Sequence, residues 1–239
     1  MNTIKINKKN TLMIAHRGLS RLEKENTMAS FIAAGNRSYF GMECDIHPTL
    51  DGRFVVIHDD SLLRVAGIDK NVEEMTLDEI KKINLIDNYN QKPMTHLLVP
   101  TLEEYLECCI KYEKKCIIEF KNLFKESDII KVLNIVNSYE YLDNCIFISF
   151  YLDNLKIVRK YQPNTSVQFL LSSYNEELIK EIEMHKIDLD INYHAIDEEK
   201  IKYLHSKNIK INVWTVNDKE VAEKLTSYGI DYITTDVLE

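Results

Sequence analysis

The sequence contains little glycine and proline, only 6 and 4 residues respectively among 239. That scarcity, together with charged residues at 28% of the chain, excludes a collagen-like, low-complexity or linker-rich protein. No strictly apolar run is long enough to span a bilayer, and the first residues contain no apolar core typical of a signal peptide. We therefore expect a compact cytoplasmic protein without stable membrane insertion.

Positive charge is also scarce, because 30 Lys and Arg side chains face 38 Asp and Glu side chains and leave a net charge of -8. This sign is wrong for a general phosphate-backbone binder, so we expect no nucleic-acid partner. The five cysteines contain no Cys-x-x-Cys pair and no zinc-type spacing with histidine, which predicts reduced and mostly buried thiols. The oligomeric state is left open by the sequence.

Short apolar or β-branched runs alternate with amphipathic segments along the chain, which is typical of repeated strand–helix units around a parallel sheet. Eight such runs are present, at 12–16, 42–46, 116–120, 146–150, 167–171, 189–193, 211–216 and 232–235. Eight strands in 239 residues leave roughly 30 residues per unit. No glycine-rich fingerprint follows the first run, so the predicted fold is α/β, a (β/α)8 TIM barrel rather than a doubly wound sheet.

Several helix starts are visible as N-terminal caps. Thr76 with Glu79, and Thr101 with Glu104, have the spacing of capping boxes. Ser127 and Asn217 are predicted to be plain N-caps. These caps place helices between the predicted strands.

Some fifty residues between the second strand and Pro100 interrupt the repeat. In this segment LDGRF is followed by VVIHDD, which predicts a hairpin with a tight turn at Asp51–Gly52. We expect residues 49–99 to form an insertion on the C-terminal face of one domain that covers residues 1–239. The segment is expected to be too small and too interrupted to bury a core of its own.

Ionisable residues lie at the predicted carboxyl ends of the strands, where TIM barrels carry their active sites. Glu43 and Asp45 are two residues apart on the second strand, so their carboxylates point to the same face. Glu119 arrives from the next strand of the barrel. Three converging carboxylates predict a hard divalent cation with oxygen ligands; the alternative is ion pairing with Arg17 and Lys121.

Two histidines, His16 and His58, come from separate segments near this carboxylate cluster, and their ordinary pKa suits acid and base catalysis near neutrality. The alternative for each is a hydrogen-bonded core histidine. Arg17 and Lys121 would supply fixed positive charge that binds a phosphate and stabilises charge developing on its oxygens. Two cations, a metal and two histidines together predict phosphoryl transfer.

Seven ordered blocks are spread nearly from end to end of the chain, namely AHRG at 15–18, ENT at 25–27, ECDIHPTLDG at 43–52, VVIHDD at 55–60, IEFK at 118–121, VWTVN at 213–217 and ITTD at 233–236. With these blocks the sequence resembles the glycerophosphodiester phosphodiesterase family. The resemblance implies a (β/α)8 barrel related to the phosphatidylinositol-specific phospholipases C, with an insertion after the second strand.

The resemblance also implies roles for individual residues. It implies catalysis by His16 and His58 and metal binding by Glu43, Asp45 and Glu119. It further implies phosphate binding by Arg17 and Lys121 and a place in the glycerol pocket for Trp214. The metal in such enzymes is typically Ca2+ or Mg2+. The implied reaction hydrolyses a small-molecule glycerophosphodiester to sn-glycerol 3-phosphate and an alcohol such as choline, ethanolamine or glycerol. Our mechanistic hypothesis is attack by the glycerol 2-hydroxyl on phosphorus, which forms a cyclic phosphate that water then opens.

Two other functions stay open at this point. A lysophospholipase D or phospholipase C-like activity on acylated lipids would be favoured if residues 62–68 and 97–99 formed an apolar rim on the insertion. A non-catalytic protein that binds phosphate or metal is the second alternative. It would be expected if a histidine or carboxylate of the pattern were missing, and none is missing.

Five further polar residues have two interpretations each. Glu25 either contributes charge to a helix start or supports the metal site. His47 shares the face of Glu43 and Asp45 if the second strand extends that far, but Pro48 is expected to end the strand and leave His47 solvent-facing or supporting. Asp59 either anchors His58 or caps the hairpin. Gln168 and His194 lie on later strands and either line the mouth of the barrel or do not.

Overall fold

The computed structural model of the protein describes residues 2–239 and contains nine β-strands and nine α-helices in that range. The strands β1 to β9 are Leu12–Ala15, Gly41–Pro48, Phe54–Val56, Lys115–Phe120, Cys145–Ser149, Ser166–Leu171, Asp188–Asn192, Ile211–Trp214 and Tyr232–Thr235. The helices α1 to α9 are Met28–Gly35, Leu63–Ala66, Leu77–Ile80, Leu102–Lys111, Glu126–Ser138, Leu152–Tyr161, Glu176–Met184, Glu198–Ser206 and Lys219–Ser227. Short 3-10 helices occupy Val72–Glu74, Leu142–Asn144 and Tyr193–Ala195.

Eight strands form a closed parallel barrel in the order β1, β2, β4, β5, β6, β7, β8 and β9. The barrel closes because β1 pairs in parallel with both β2 and β9. The remaining strand, β3, pairs antiparallel with the end of β2. The predicted (β/α)8 barrel is therefore confirmed, and each barrel strand begins and ends within two residues of its predicted bounds.

Side chains along each strand point alternately to the inside of the barrel and to its outer layer of helices. On β4, Ile117 faces a small interior cluster, whereas Ile118 and Phe120 belong to the large cluster between strands and helices. Glu119 lies on the same inner face as Ile117, one step nearer the carboxyl end. The inside of the barrel is therefore apolar at one end and carries charged groups at the other.

The predicted capping boxes are confirmed: the hydroxyl of Thr76 accepts from the Glu79 amide, and that of Thr101 accepts from the Glu104 amide. The predictions for Ser127 and Asn217 are wrong, because Ser127 lies within the first turn of α5, which follows Lys125, and Asp218 caps α9. A carboxylate one residue later reaches the amide of the third helical residue, Val221, at 2.9 Å. Asn217 instead donates a side-chain hydrogen bond to Asp236.

The predicted hairpin is present, with Pro48 of β2 opposite Phe54 of β3 and the turn between them carried by Gly52 in a left-handed conformation. The expectation that the insertion buries no core is wrong. It contains an apolar cluster of its own, made of Val55, Ile57, Leu62, Val65, Val72, Met75, Ile80, Leu85, Leu97 and Val99. Short helices α2 and α3 contribute Val65 and Ile80 to this cluster, and β3 contributes Val55. Within residues 2–239, no helix combines the length and apolar character needed to cross a membrane.

Candidate active site

The predicted functional residues converge on one cavity of about 240 Å3 at the carboxyl ends of the barrel strands. Seven of the eight line it, namely His16, Arg17, Glu43, His58, Glu119, Lys121 and Trp214. The eighth, Asp45, is buried behind the lining, where Arg17 and Lys121 approach it. Their convergence follows from the parallel barrel, because residues from β1, β2, β4 and β8 all end at the same face.

Glu43, Asp45 and Glu119 form a compact, buried carboxylate cluster in which one oxygen of each lies within 4.8 Å of the others. The backbone amide of Arg17 donates to Glu43 Oε2 at 2.8 Å. The side chain of Asn26 donates to Asp45 Oδ2 at 2.7 Å. These bonds fix the carboxylates in place and leave other oxygens of the cluster unused.

Ion pairing accounts for part of the cluster, as the alternative interpretation expected. Arg17 Nε lies 3.3 Å from Asp45 Oδ2, and Lys121 Nζ lies 2.7 Å from Glu119 Oε1 and 3.3 Å from Asp45 Oδ1. Two cations nevertheless face three carboxylates. Within residues 2–239, Glu43 Oε1 and Asp45 Oδ1 are buried without a hydrogen-bond donor. The donor set therefore fits a divalent cation with oxygen ligands.

The ionisation of the cluster reflects the same imbalance. Burial, and then repulsion from Asp45 and Glu119, raises the pKa of Glu43 well above its usual value. Burial and Asp45 raise the pKa of Glu119 to about 7. Burial also opposes ionisation of Asp45, but the charges of Lys121 and Arg17 outweigh it and lower that pKa. The three carboxylates thus carry more negative charge than Arg17 and Lys121 can balance.

Each histidine is anchored by a carboxylate. His16 Nδ1 lies 2.7 Å from Asp236 Oδ1, and His58 Nδ1 lies 2.6 Å from Asp59 Oδ1. Because Nδ1 of each ring faces a carboxylate, Nε2 is the nitrogen that remains for proton transfer. Burial, with Arg17 as a further cause, lowers the pKa of His58, which favours its neutral form.

The anchoring carboxylates are themselves held ionised. Burial opposes ionisation of Asp236, but the interactions with His16 and the hydrogen bonds from Asn217 and Ser20 together outweigh it and lower the pKa to about 2. A hydrogen bond from Arg64 is the main cause that lowers the pKa of Asp59 to about 2. Asp59 therefore anchors His58, one of its two predicted roles. Asp236 had no predicted role, although it ends the ITTD block.

Trp214 stands on the wall of the cavity, with Nε1 donating to the Asp190 carbonyl at 3.3 Å and its ring edge-on to Phe150 at 5.7 Å. The Asp190 side chain also lines the cavity and was missed by sequence reasoning. Its Oδ1 is buried without a partner among residues 2–239, and burial followed by Glu119 raises its pKa well above the usual value. The available signal was an acidic residue between Leu189 and Ile191 in the predicted strand 189–193.

The residues with two interpretations are resolved by their contacts. Glu25 is no helix cap, because Thr27 caps α1; it accepts from Arg17 at 2.9 Å instead. His47 is fully buried rather than solvent-facing, with Nδ1 3.0 Å from Glu73 Oε1. The strand runs on through Pro48, which carries His47 inward with Glu43 and Asp45. Gln168 is buried and accepts from Asn212, while His194 is exposed in a 3-10 helix and does not line the cavity.

Comparisons with known proteins agree with this geometry. The profile of the glycerophosphoryl diester phosphodiesterase family matches residues 16–239. A glycerophosphodiester phosphodiesterase of Caldanaerobacter subterraneus is 31% identical over 230 residues, which cover 95% of this chain and 94% of that protein. A glycerophosphodiester phosphodiesterase from Thermotoga maritima has a crystal structure 28% identical in sequence, with a TM-score of 0.76 and coverage of 95% of this chain and 94% of that one.

The fold alone is also shared with a phosphodiesterase from Oleispira antarctica, whose structure was determined in complex with the product sn-glycerol-3-phosphate. That structure has a TM-score of 0.88 at 24% identity and covers 98% of this chain and 96% of its own. The family match spans every block that carries the site, from His16 to Asp236. The chain therefore belongs to the glycerophosphoryl diester phosphodiesterase family of phosphodiester hydrolases.

Proposed function

We propose that this enzyme hydrolyses glycerophosphodiesters, such as glycerophosphocholine and glycerophosphoethanolamine, to sn-glycerol 3-phosphate and an alcohol, with a divalent cation and two histidines. The observation that carries the proposal is the cavity itself, which is lined by two carboxylate-anchored histidines, two cations and two members of the carboxylate cluster. The names of the relatives, which include glycerophosphodiester phosphodiesterases at 31% and 28% identity, support the same substrate class.

Glu43, Asp45 and Glu119 are the residues that would hold the cation, as Ca2+ or Mg2+. Two of their buried oxygens, Glu43 Oε1 and Asp45 Oδ1, lack a hydrogen-bond donor within residues 2–239 and would serve as ligands, although Lys121 Nζ lies 3.3 Å from the second. A divalent cation bound there supplies positive charge that polarises a phosphate oxygen. Arg17 and Lys121 add fixed positive charge on the same side of the cavity and would bind the remaining phosphate oxygens.

The two histidines divide the proton transfers of the reaction. In the proposed first step, Nε2 of one ring accepts the proton of the glycerol 2-hydroxyl as its oxygen attacks phosphorus. Nε2 of the other ring donates a proton to the departing alcohol. The Asp236 and Asp59 carboxylates hold His16 and His58 in the orientation this needs, and they stabilise each ring while it carries two protons. Reversal of the two roles then lets water open the cyclic phosphate.

The size of the cavity favours a deacylated substrate. Its volume of about 240 Å3 suits a glycerol phosphate group and leaves little room for an acyl chain. Four of the apolar residues that were considered for a lipid-binding rim, Leu62, Val65, Leu97 and Val99, are buried in the core of the insertion instead. Leu63 of the same segment is exposed, but the burial of the other four side chains favours glycerophosphodiesters over the lysophospholipase D or phospholipase C-like alternative.

The test is release of sn-glycerol 3-phosphate from glycerophosphocholine in the presence of Ca2+, Mg2+ or EDTA. We expect metal-dependent release, and a loss of about 10²–10⁴-fold in His16→Ala and in His58→Ala. An analogue without the 2-hydroxyl should be a poor substrate. Equal release in EDTA would contradict the metal, full activity of either variant would contradict the histidine pair, and normal turnover of the analogue would favour direct attack by water.

A further inference from the structure

Arg64, in helix α2 of the insertion, makes four hydrogen bonds to two carboxylates that each hold a different active-site residue. We propose that Arg64 is a positioning residue for the reaction, which fixes His58 through Asp59 and Arg17 through Glu25. This inference rests on the proposed function and extends it to a residue outside the cavity.

The first contact orients His58. Arg64 Nε donates to Asp59 Oδ2 at 2.6 Å, and its Nη2 donates to Asp59 Oδ1 at 3.0 Å, so the carboxylate is held by both oxygens. The same Oδ1 lies 2.6 Å from His58 Nδ1. Among residues 2–239, the side chains paired with Asp59 are those of His58 and Arg64. Without Arg64, Asp59 would be free to rotate and His58 would lose a fixed partner for Nδ1.

The second contact orients Arg17. Arg64 Nη1 donates to Glu25 Oε2 at 2.7 Å, and its Nη2 donates to Glu25 Oε1 at 2.9 Å. Glu25 Oε1 also accepts from Arg17 Nη1 at 2.9 Å. Arg64 thus holds Glu25 by both oxygens, and Glu25 in turn directs the Arg17 guanidinium, which lines the cavity.

The chemistry of the guanidinium explains why one side chain can serve both carboxylates. Its planar array of N–H groups forms paired hydrogen bonds with carboxylates on two edges, whereas an ammonium group acts as a single point charge. Arg64 does not line the cavity, and its side chain is 47% exposed. Its effect on the reaction must therefore pass through Asp59 and Glu25, which makes it a positioning residue rather than a catalytic one.

The two arms make different kinetic predictions. Asp59→Asn disturbs the proton transfer of His58 and should lower kcat with little change in KM. Glu25→Gln loosens Arg17 and should raise KM with little change in kcat. Arg64→Met should do both, with a loss of about 10- to 100-fold in kcat/KM. Because Arg64 acts through Asp59, combining Arg64→Met with Asp59→Asn should lower kcat no further than the larger single effect.

Two variants separate positioning from a general loss of stability. Arg64→Lys keeps the charge but cannot make all four hydrogen bonds, so it should recover only part of the activity. Arg53→Met is the matched control, because Arg53 also lies in the insertion, is 51% exposed and pairs with Glu103 at 2.9 Å, away from the cavity. We expect Arg53→Met to retain wild-type kcat and KM. Thermal unfolding of every variant shows how much of each protein is folded in the assay.

A readout independent of turnover completes the test. Nitrogen NMR of the imidazole rings, with His58 assigned by comparison with His58→Asn, should show one fixed tautomer in the wild type and exchange between tautomers in Arg64→Met. The inference would be overturned if Arg64→Met had the same kcat and KM as the control Arg53→Met and an unchanged His58 spectrum. Failure of the wild type to release sn-glycerol 3-phosphate would overturn the proposed function instead, and the spectrum would still report on Arg64.

Discussion

Replacing Glu119 by glutamine tests the crowding of negative charge in the carboxylate cluster. An oxygen of Glu119 lies within 4.8 Å of oxygens on Glu43 and Asp45. Two like charges at that separation repel by about 3 kcal/mol at an effective dielectric constant of about 20. The amide keeps the shape of the side chain but removes its charge, so the substitution should relieve this repulsion in the metal-free protein.

The raised pKa of Glu119, which combines burial with repulsion from Asp45, gives a similar magnitude and fixes the sign. Burial and Asp45 raise this pKa from 4.5 to about 7 in the folded protein. The folded protein then binds more protons than the unfolded chain between these two values, so its stability falls as pH rises through that window. The rise corresponds to a loss of about 3 kcal/mol, which is complete above the folded pKa and absent below the unfolded pKa.

Glu119→Gln should therefore be more stable than the wild type by about 3 kcal/mol at about pH 8 in EDTA, or by about 6–12 °C in the unfolding midpoint. Near pH 4 the two proteins should unfold together, because Glu119 is protonated in both states. Added Ca2+ or Mg2+ should stabilise the wild type more than the variant, which has lost a ligand. Activity should fall in the variant despite its greater stability.

The control is Glu199→Gln, an exposed glutamate in α8. It should unfold like the wild type at both pH values. Lys121 lies 2.7 Å from Glu119 and opposes the repulsion. If Glu119→Gln were less stable than the wild type in EDTA at high pH, this ion pair would outweigh the crowding, and the case for a charge deficit at the cluster would be refuted.

Two further predictions concern stability. Asp190→Asn should raise the stability of the metal-free protein at about pH 8 by about 1–3 kcal/mol. The reason is that the pKa of this buried carboxyl is raised in the folded protein, so its ionisation destabilises the fold as pH increases above 3.8. A stability difference that persists unchanged at low pH would contradict this cause. Gly229→Ala should lower the free energy of unfolding by about 1–2 kcal/mol, and Gly18→Ala should lower it by considerably more. Both glycines have positive φ, but only at Gly18 would the new Cβ lie 2.5 Å from Ser30 Oγ, whereas at Gly229 it would meet nothing within 4 Å. Urea unfolding of the pair measures the difference, and equal losses would refute the steric reasoning.

Much of the barrel and of its cavity was visible in the sequence because both depend on short-range patterns. The period of two along a strand places Glu43 and Asp45 on one face, and the capping box at Thr101 needs only Glu104, three residues away. The parallel order of strands then brings His16 and Glu119 to one end of the barrel. These features were predicted correctly because each is encoded within a few residues or within one repeating unit.

The partners of those residues depended on the tertiary structure. His16 pairs with Asp236, which is 220 positions away, and Arg64 reaches Glu25 across 39 positions. No local pattern predicts which of 38 acidic side chains meets which base. The core of the insertion was missed for the same reason, since Val55 and Leu97 become neighbours only after the segment folds back.

By itself, therefore, the sequence determined the elements, the inner face of each strand and the reactive groups at the strand ends, because these follow from local geometry. Only the tertiary structure decided how those groups are held and charged. The anchors of both histidines, the charge deficit among Glu43, Asp45 and Glu119, and the reach of Arg64 arise from burial and from contacts between distant segments, and neither exists until the barrel has closed.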